Sequence, residues 1–460
     1  MEKRRYFNLL NIFNLCLFIL VLLFSSRCNL WACDVAVISA SASTNNRPFI
    51  WKNRDWSPSF NEEMSYFEVG GHPEIEGYTM IYNRTVTYLN CSGGANNTGF
   101  AIALTAVYDP NTFNEMRNAN TSFTREALET CVTLDDFENF LDRWHRNHAR
   151  QTISGNFAVI DAHGGAAMYE CWTGSFAIFS NRIRYYKVDA NTGRRTYKNG
   201  RRFRVIDEGE GENFIGFINL TNTNAFIKNY GEERRYRAQF LMEQMRKNER
   251  LNYRNVMIEV AKDVIDGREN GEQKNNDLEN YNTTFCISRS ATRFGMVVDG
   301  VASGDDPKAT TIWCNIGEPS IGVFTPHFPS AKRVSFYYWA DRFSSDSTPL
   351  DRSSTCFMSM AFNKRETIDA LLYSSNRGNT SSGMYDKTIN KLELSILQEW
   401  TFPLEETIVL KTEEFLEGVR NNPDGITDSQ LYDFSHYCAI YAYKNYINGS
   451  DTSFIWNFLF

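Results

Sequence analysis

Residues 33–41 alternate as a β-strand should, with Val35, Val37 and Ser39 on one side, and residues 48–54 return as a second strand. Between them, Ser43-Thr44-Asn45-Asn46-Arg47 supplies the small and polar residues that turns require. This hairpin constrains the fold most, because its register decides what stands opposite Cys33. With the turn centred near Thr44 and Asn45, paired residue numbers sum to about 89, which sets Cys33 opposite Asp55 or Trp56 to within a residue or two. The segment Trp51-Lys52-Asn53-Arg54-Asp55-Trp56 is thereby expected beside Cys33.

What precedes the hairpin reads as a secretory leader over residues 1–32. Lys3, Arg4 and Arg5 form its basic start, the apolar run from Phe7 to Phe24 its middle, and Leu30-Trp31-Ala32 its cleavage end. Ala32 suits the residue before the cut, so Cys33 is expected to be the first residue of the mature chain. Removing Lys3, Arg4, Arg5, Arg27 and Glu2 takes three positive charges from a net −7 and leaves −10. That charge, without a basic stripe, argues against nucleic acid as a partner. No later stretch approaches the roughly 20 apolar residues of a spanning helix. The mature protein is therefore expected outside the cytosol, secreted or in the periplasm or an endomembrane lumen.

Of the ten cysteines, Cys16 and Cys28 leave with the leader, and the eight that remain show no CxxC spacing. Zinc is not implied, while one or more disulfides would suit the compartment. Glycosylation sequons at Asn83, Asn90, Asn96, Asn120, Asn219, Asn282, Asn379 and Asn448 fit a glycoprotein.

Along the chain, further strands are expected at 99–108, 156–162, 166–172, 176–180, 285–298, 310–315 and 321–325. Thr133-Leu134-Asp135-Asp136 resembles a capping box opening a helix that carries Leu134, Phe137, Leu141 and Trp144 on one face. More helices are expected at 233–245, 253–263, 366–372, 387–400 and 404–420. Hairpins interleaved with amphipathic helices make an α+β layered domain with a mostly antiparallel sheet over residues 33–345. A helical extension follows over 346–460, packed on the same domain.

An N-terminal cysteine joins a thiol and a free α-amine on one residue. Their reference pKa values, near 8.5 and 8, allow the amine to act as base for its own side chain. Asp55 could hold that amine, and Lys52 could favour the thiolate by its charge. Taken alone, Lys52, Arg54 and Asp55 also fit a solvated charge cluster at a strand end. His145 and His148 are three apart on a helix, but with no carboxylate motif nearby they read as a polar face. No GxGxxG, P-loop or G-x-S-x-G motif occurs, so neither a cofactor nor a metal is implied.

A cysteine, a short hairpin and then Lys52-Asn53-Arg54-Asp55 resemble the cysteine-type N-terminal nucleophile (Ntn) amidohydrolases. These include bile-salt hydrolases, penicillin V acylases and the acyl-CoA:6-aminopenicillanate acyltransferase-like group. The order continues through Asn96-Asn97-Thr98-Gly99-Phe100-Ala101-Ile102, similar to the family's N-E-x-G-(F/L)-A-I, and through Asp161, Gly164 and Glu170 at the family's D-x-x-G-x5-E spacing. Phe179-Ser180-Asn181 resembles its T-N or S-N motif, and Arg235-Tyr236 its S-R-(F/Y) helix start. Cys286-Ile287-Ser288-Arg289-Ser290 and the run from Thr311 to Phe324 are similar to the acyltransferase-like group's later strands. The resemblance covers roughly residues 33–330. Lys52 stands where the bile-salt branch has Arg, and Leu104-Thr105-Ala106 lacks an Asn that this branch carries.

The resemblance implies a four-layer αββα Ntn-hydrolase sandwich. It implies Cys33 as nucleophile with its own amine as base, Asp55 holding the amine, Asn181 donating to the oxyanion and Arg235 ordering the pocket. The implied reaction is hydrolysis of linear amides of small N-acyl compounds. The alternatives are acyl transfer from the same acyl-enzyme, or a non-catalytic secreted binding glycoprotein or lipoprotein.

Overall fold

A computed structural model describes residues 33–56, 62–84, 89–107, 117–144, 151–173, 183–199, 202–204, 216–227, 231–269, 279–289, 291–338, 356, 358 and 388–448. The leader, the expected strand at 176–180, the helix at 366–372, His145, His148 and Asn181 fall outside the described residues.

In chain order the strands begin with β1 (Cys33–Ile38), β2 (Phe49–Asp55), β3 (Glu62–Glu68), β4 (Gly77–Arg84), β5 (Leu89–Asn96), β6 (Ala101–Ala106) and β7 (Arg117–Asn118). They continue with β8 (Gln151–Thr152), β9 (Ser154–Ile160), β10 (Ala166–Trp172), β11 (Arg184–Asp189), β12 (Arg195–Asn199), β13 (Arg202–Arg204) and β14 (Phe217–Leu220). The last are β15 (Asn280–Asn282), β16 (Thr292–Asp299), β17 (Thr311–Ile316), β18 (Thr325–His327) and β19 (Thr388–Asn390). The main helices are α1 (Asn120–Thr130), α2 (Leu134–Arg143), α3 (Glu232–Lys247), α4 (Lys391–Asn421) and α5 (Asp428–Asn448).

Two antiparallel sheets dominate, in the orders β14-β1-β2-β16-β17-β18 and β13-β12-β11-β10-β9-β6-β5-β4-β3. Every residue of β1 and β2 is buried, including Lys52, Asn53, Arg54 and Asp55 at the end of β2. One core cluster joins Val35, Val37 and Trp51 of the six-stranded sheet to Ala103, Ala158 and Met168 of the nine-stranded sheet, with Ala238 and Met242 of α3. A second cluster packs Phe123 of α1 and Phe137 of α2 against Phe100, Ile102, Phe157 and Tyr169 on the outer face of the larger sheet. Helix, sheet, sheet, helix is thus the layer order, the expected αββα sandwich.

Local chemistry explains several elements. The capping box forms as read: Thr133 Oγ1 accepts from the Asp136 N–H at 3.1 Å, and Asp136 Oδ2 accepts from the Thr133 N–H at 3.0 Å. Gly99 takes φ 83° in the β5–β6 turn, a conformation open to glycine without strain. Beside it Asn96 Nδ2 donates to the Leu128 and Cys131 carbonyls, tying the end of α1 to that turn.

Some expectations are corrected. The strand expected at 285–298 occupies only its second half, as β16, and the one at 321–325 gives way to β18. The helices expected at 387–400 and 404–420 are one helix, α4, running through Pro403. Proline costs a helix interior a hydrogen bond. Here burial of Leu394, Leu397, Leu404, Ile408 and Val409 along one face outweighs it. Leu404, Ile408 and Val409 share the main core cluster with Cys438, Ala439 and Ala442 of α5. All eight cysteines from Cys33 onward are free thiols, so no disulfide forms among the described residues. Asn83, Asn96, Asn120 and Asn219 are buried, and the fold leaves no room for a glycan there.

Candidate active site

Register places the groups. In the β1–β2 hairpin Cys33 pairs with Arg54, Asp34 with Asn53 and Val35 with Lys52. Paired numbers sum to 87 rather than 89, because the turn closes earlier, with the Asn46 N–H donating to the Ser43 carbonyl and Asn46 at φ 56°. Cys33 therefore faces Arg54, one residue from Asp55 and two from Trp56, within the expected tolerance of register.

Alternation then sorts the side chains onto two faces. Cys33, Lys52 and Arg54 point toward the larger sheet. Lys52 Nζ donates to the Leu104 carbonyl on β6, and Arg54 reaches Ser92 on β5 and Glu62 on β3, the latter at 2.9 Å. Asp34, Asn53 and Asp55 point the other way, toward the helices. Asp34 accepts from Arg234 Nε at 3.1 Å, and Asn53 Nδ2 donates to the Ala261 carbonyl at 2.8 Å. Asp55 accepts from Arg289 Nε and Thr292 Oγ1, each at 2.7 Å.

The Cys33 nitrogen meets a residue that the sequence reading did not single out. It donates to Asn222 Oδ1 at 2.7 Å. In the β1–β14 pairing Val35 stands opposite Leu220, so extending that register by two residues sets Asn222 against Cys33. Asn222 Nδ2 donates to the Ala106 carbonyl at 2.5 Å, which fixes the amide across the gap between the sheets. Nearby, Asn156 Nδ2 donates to the Thr221 and Thr223 carbonyls and holds the loop after β14.

Electrostatics follow from burial. Burial pulls Lys52 below the usual lysine range, and the neighbouring Arg54 adds to that, while Cys33, within hydrogen-bonding reach, pulls it back. Burial pushes Asp34 up to about 6; Arg234 opposes this, and Asp55 adds to it. Arg234 engages Asp34 through Nε, leaving its buried Nη2 without a partner among the described residues.

The structure thus brings Cys33, Lys52 and Asn222 together. It turns the Asp55 carboxyl to the other face, where it forms a charge cluster with Asp34, Arg234 and Arg289. Arg235 does not enter: it pairs with Glu232 at 2.8 Å, partly exposed, while its neighbour Arg234 is 2% exposed and faces the site. Asn181 lies outside the described residues. Thr221-Asn222 carries the same T-N pattern that singled out Ser180-Asn181, and this was the available signal. The other motif residues serve structure: Asp161 accepts from the N–H groups of Leu134, His163 and Gly165, and Glu170 pairs with Arg195. Among the described residues no cluster of His, Cys, Asp or Glu could hold a metal ion, and no helix is long and apolar enough to cross a membrane.

Comparison with known proteins gives one family. Residues 42–297, more than half of the chain, match the family described as acyl-coenzyme A:6-aminopenicillanic acid acyl-transferase. Among solved structures, a variant of the conjugated bile acid hydrolase from Clostridium perfringens is similar at 12% identity and TM-score 0.34, covering 62% of this chain and 89% of its own. The Caenorhabditis elegans ortholog of N-acylethanolamine-hydrolyzing acid amidase is similar at 16% identity and TM-score 0.33, covering 58% of this chain and 92% of its own. No curated protein sequence matches the chain.

Proposed function

The chain belongs to the acyl-coenzyme A:6-aminopenicillanic acid acyl-transferase family of Ntn enzymes acting on amide bonds, and from that premise we propose that it is a secreted amidase of N-acyl compounds whose nucleophile is Cys33. Cleavage after Ala32 turns the Cys33 nitrogen from a peptide N–H into an α-amine. The observation that carries this reading is the hydrogen bond from that nitrogen to Asn222 Oδ1 at 2.7 Å, which positions the amine beside its own thiol.

The amine takes the thiol proton, and Lys52 lies within hydrogen-bonding reach of the sulfur. Sulfur adds to the amide carbon, and the oxyanion so formed is met by the Asn222 amide, which takes the role that the family resemblance gave to Asn181. The C–N bond breaks as the ammonium returns its proton to the leaving amine. Water then adds to the thioester, the C–S bond breaks, and the acid departs with the thiol reprotonated. An amine in place of water would give transfer, and the family's description favours that as the second outcome.

Asp34, Asp55, Arg234 and Arg289 act from behind, fixing the strands that carry Cys33 and Lys52. N-terminal sequencing with intact mass should find a mature chain beginning at an unmodified Cys33. Cys33→Ala should abolish turnover of an N-acyl amide while leaving the fold intact. A start elsewhere, or undiminished turnover in that variant, overturns the proposal.

A further inference from the structure

The loop after β14 links the Cys33 site to a second cluster. Asn222 contacts Cys33. Three residues on, the Ala225 N–H donates to Glu170 Oε2 at 2.6 Å, and Asn224 Oδ1 accepts from the N–H groups of Phe226 and Ile227 at 3.0 Å. Phe226 is thereby fixed against rings of the larger sheet. It stacks on Trp172 at 5.5 Å between centroids and lies 5.2 Å from Tyr186, which is 4.7 Å from Tyr197.

Register puts this cluster at the same end of the sheet as Cys33. Thr105, Asn156, Glu170, Tyr186 and Tyr197 pair successively across β6, β9, β10, β11 and β12, and alternation gives them one face. That face is the one Lys52 and Asn222 touch at β6. Strands lie about 4.8 Å apart, so Trp172 is two strand spacings, about 10 Å, from β6, and Arg184 three, about 14 Å.

Two guanidiniums cover the rings, and they differ in charge balance. Arg195 lies 4.2 Å over Tyr186 and is neutralised by Glu170 at 3.0 Å. Arg184 lies 4.3 Å over the Trp172 ring and has no carboxylate partner among the described residues. Among the described residues, one positive charge beside a wall of four half-buried rings thus has no counter-charge.

We infer that Trp172, Tyr186, Tyr197 and Phe226, with Arg184, form a distal substrate subsite that takes a flat apolar group bearing an anionic tip. The inference rests on the amidase reading, because it concerns the far end of the molecule whose amide meets Cys33. Rings accept the flat group by stacking, and the guanidinium forms a charge-assisted pair with a carboxylate. The favoured N-acyl amide carries that group about 10–14 Å from its carbonyl carbon, two to three strand spacings.

The test uses aminomethylcoumarin amides of alkanoic acids of graded length, ending either in phenyl or in carboxyphenyl, with the processed full chain. At the matching length kcat/KM for the carboxyphenyl amide should exceed that for the phenyl amide by about tenfold. Arg184→Gln, shown folded by circular dichroism, should bring that ratio to about one. Equal rates in the native enzyme, or a ratio unmoved by Arg184→Gln, overturn the subsite even while short amides turn over. If no amide is turned over, the amidase reading fails, and the subsite is judged by calorimetric binding of the carboxyphenyl acid. Binding that Arg184→Gln weakens supports it; absent binding, or binding indifferent to Arg184, overturns it.

Discussion

Replacing Asn222 tests the site most directly, because one amide carries two separable duties. Its Oδ1 accepts from the Cys33 nitrogen at 2.7 Å, and its Nδ2 donates to the Ala106 carbonyl at 2.5 Å. In the fold, Asn222→Ala leaves one N–H and one carbonyl unmet, a loss of about 1–3 kcal/mol for each group that water cannot reach. In the reaction, losing a donor to the oxyanion removes about 2.7–4 kcal/mol of transition-state stabilisation, or about 10²–10³ in kcat. Asn222→Ala should therefore lower kcat by that factor with little change in KM, in a protein that still melts cooperatively. Asn222→Asp separates the duties: it keeps an acceptor for the amine but offers no N–H, and its charge repels the oxyanion. It should be as slow as the alanine variant. Steady-state kinetics on one N-acyl amide decide the matter. An Asp variant near native rate would refute the oxyanion role. A large loss in Asn181→Ala beside a loss below tenfold in Asn222→Ala would refute the whole assignment.

Three further outcomes concern the scaffold. Asp34 sits near 6 in the fold against an ordinary 3.8, so the folded chain holds its proton more tightly. Its stabilising contribution is full below pH 3.8 and is lost as pH rises through about 6, a change of about 2–3 kcal/mol. Urea unfolding of native protein and Asp34→Asn across that window should differ by this slope; parallel curves would remove the argument. Lys262 Nζ meets Glu405 Oε2 at 2.9 Å, both side chains 1% exposed, pinning α4 under the smaller sheet. Lys262→Met should cost about 3–5 kcal/mol by leaving the buried Glu405 carboxylate only the Phe324 N–H, at 2.7 Å, and adding Glu405→Leu should recover part of it, since that N–H then goes unmet. A single variant within 1 kcal/mol of native would show the pair to be dispensable. Phe123 is fully buried among the rings of Phe137, Phe140, Trp144 and Phe157, so Phe123→Ala should cost about 3–5 kcal/mol in the same assay.

Legibility of the fold followed the strength of local signals. β1 was readable from its alternation, β2 because Phe49-Ile50-Trp51 returns after turn residues, β9 and β10 because apolar residues recur along them, and α2 because its cap and its face agreed. By contrast β3, β4, β5 and β11 went unread. Their sequences mix Glu, Asn, Tyr and Gly, and pairing within a nine-stranded sheet overrides that weak pattern. Helix α1 offers no side-chain cap, and its buried face includes Asn120 and Thr124 beside Phe123, which blurs the period. The fusion of two expected helices into α4 has the same cause: Pro403 is a local signal, and the core contact that defeats it is not local.

At the site, adjacency in sequence and adjacency in space diverged at two points. Successive residues on a helix point roughly 100° apart, so of three arginines in Arg234-Arg235-Tyr236-Arg237 only some can turn inward. Arg234 meets Asp34 and Arg237 meets Asp263 at 2.7 Å, both buried, which leaves Arg235 to Glu232 on the outside. A motif written as two letters cannot specify that rotation, since either arginine precedes an aromatic or a basic neighbour. Asn222 makes the complementary case. The T-N or S-N pattern occurs at both Ser180-Asn181 and Thr221-Asn222, and spacing does not choose between them. The choice is made by strand register: β14 pairs with β1 so that Leu220 faces Val35, and two residues of extension carry Asn222 to Cys33. Cys33 was singled out because the role proposed for it depends on chain position, which is read along the sequence. Its partners were not, because they are selected by which strands lie side by side.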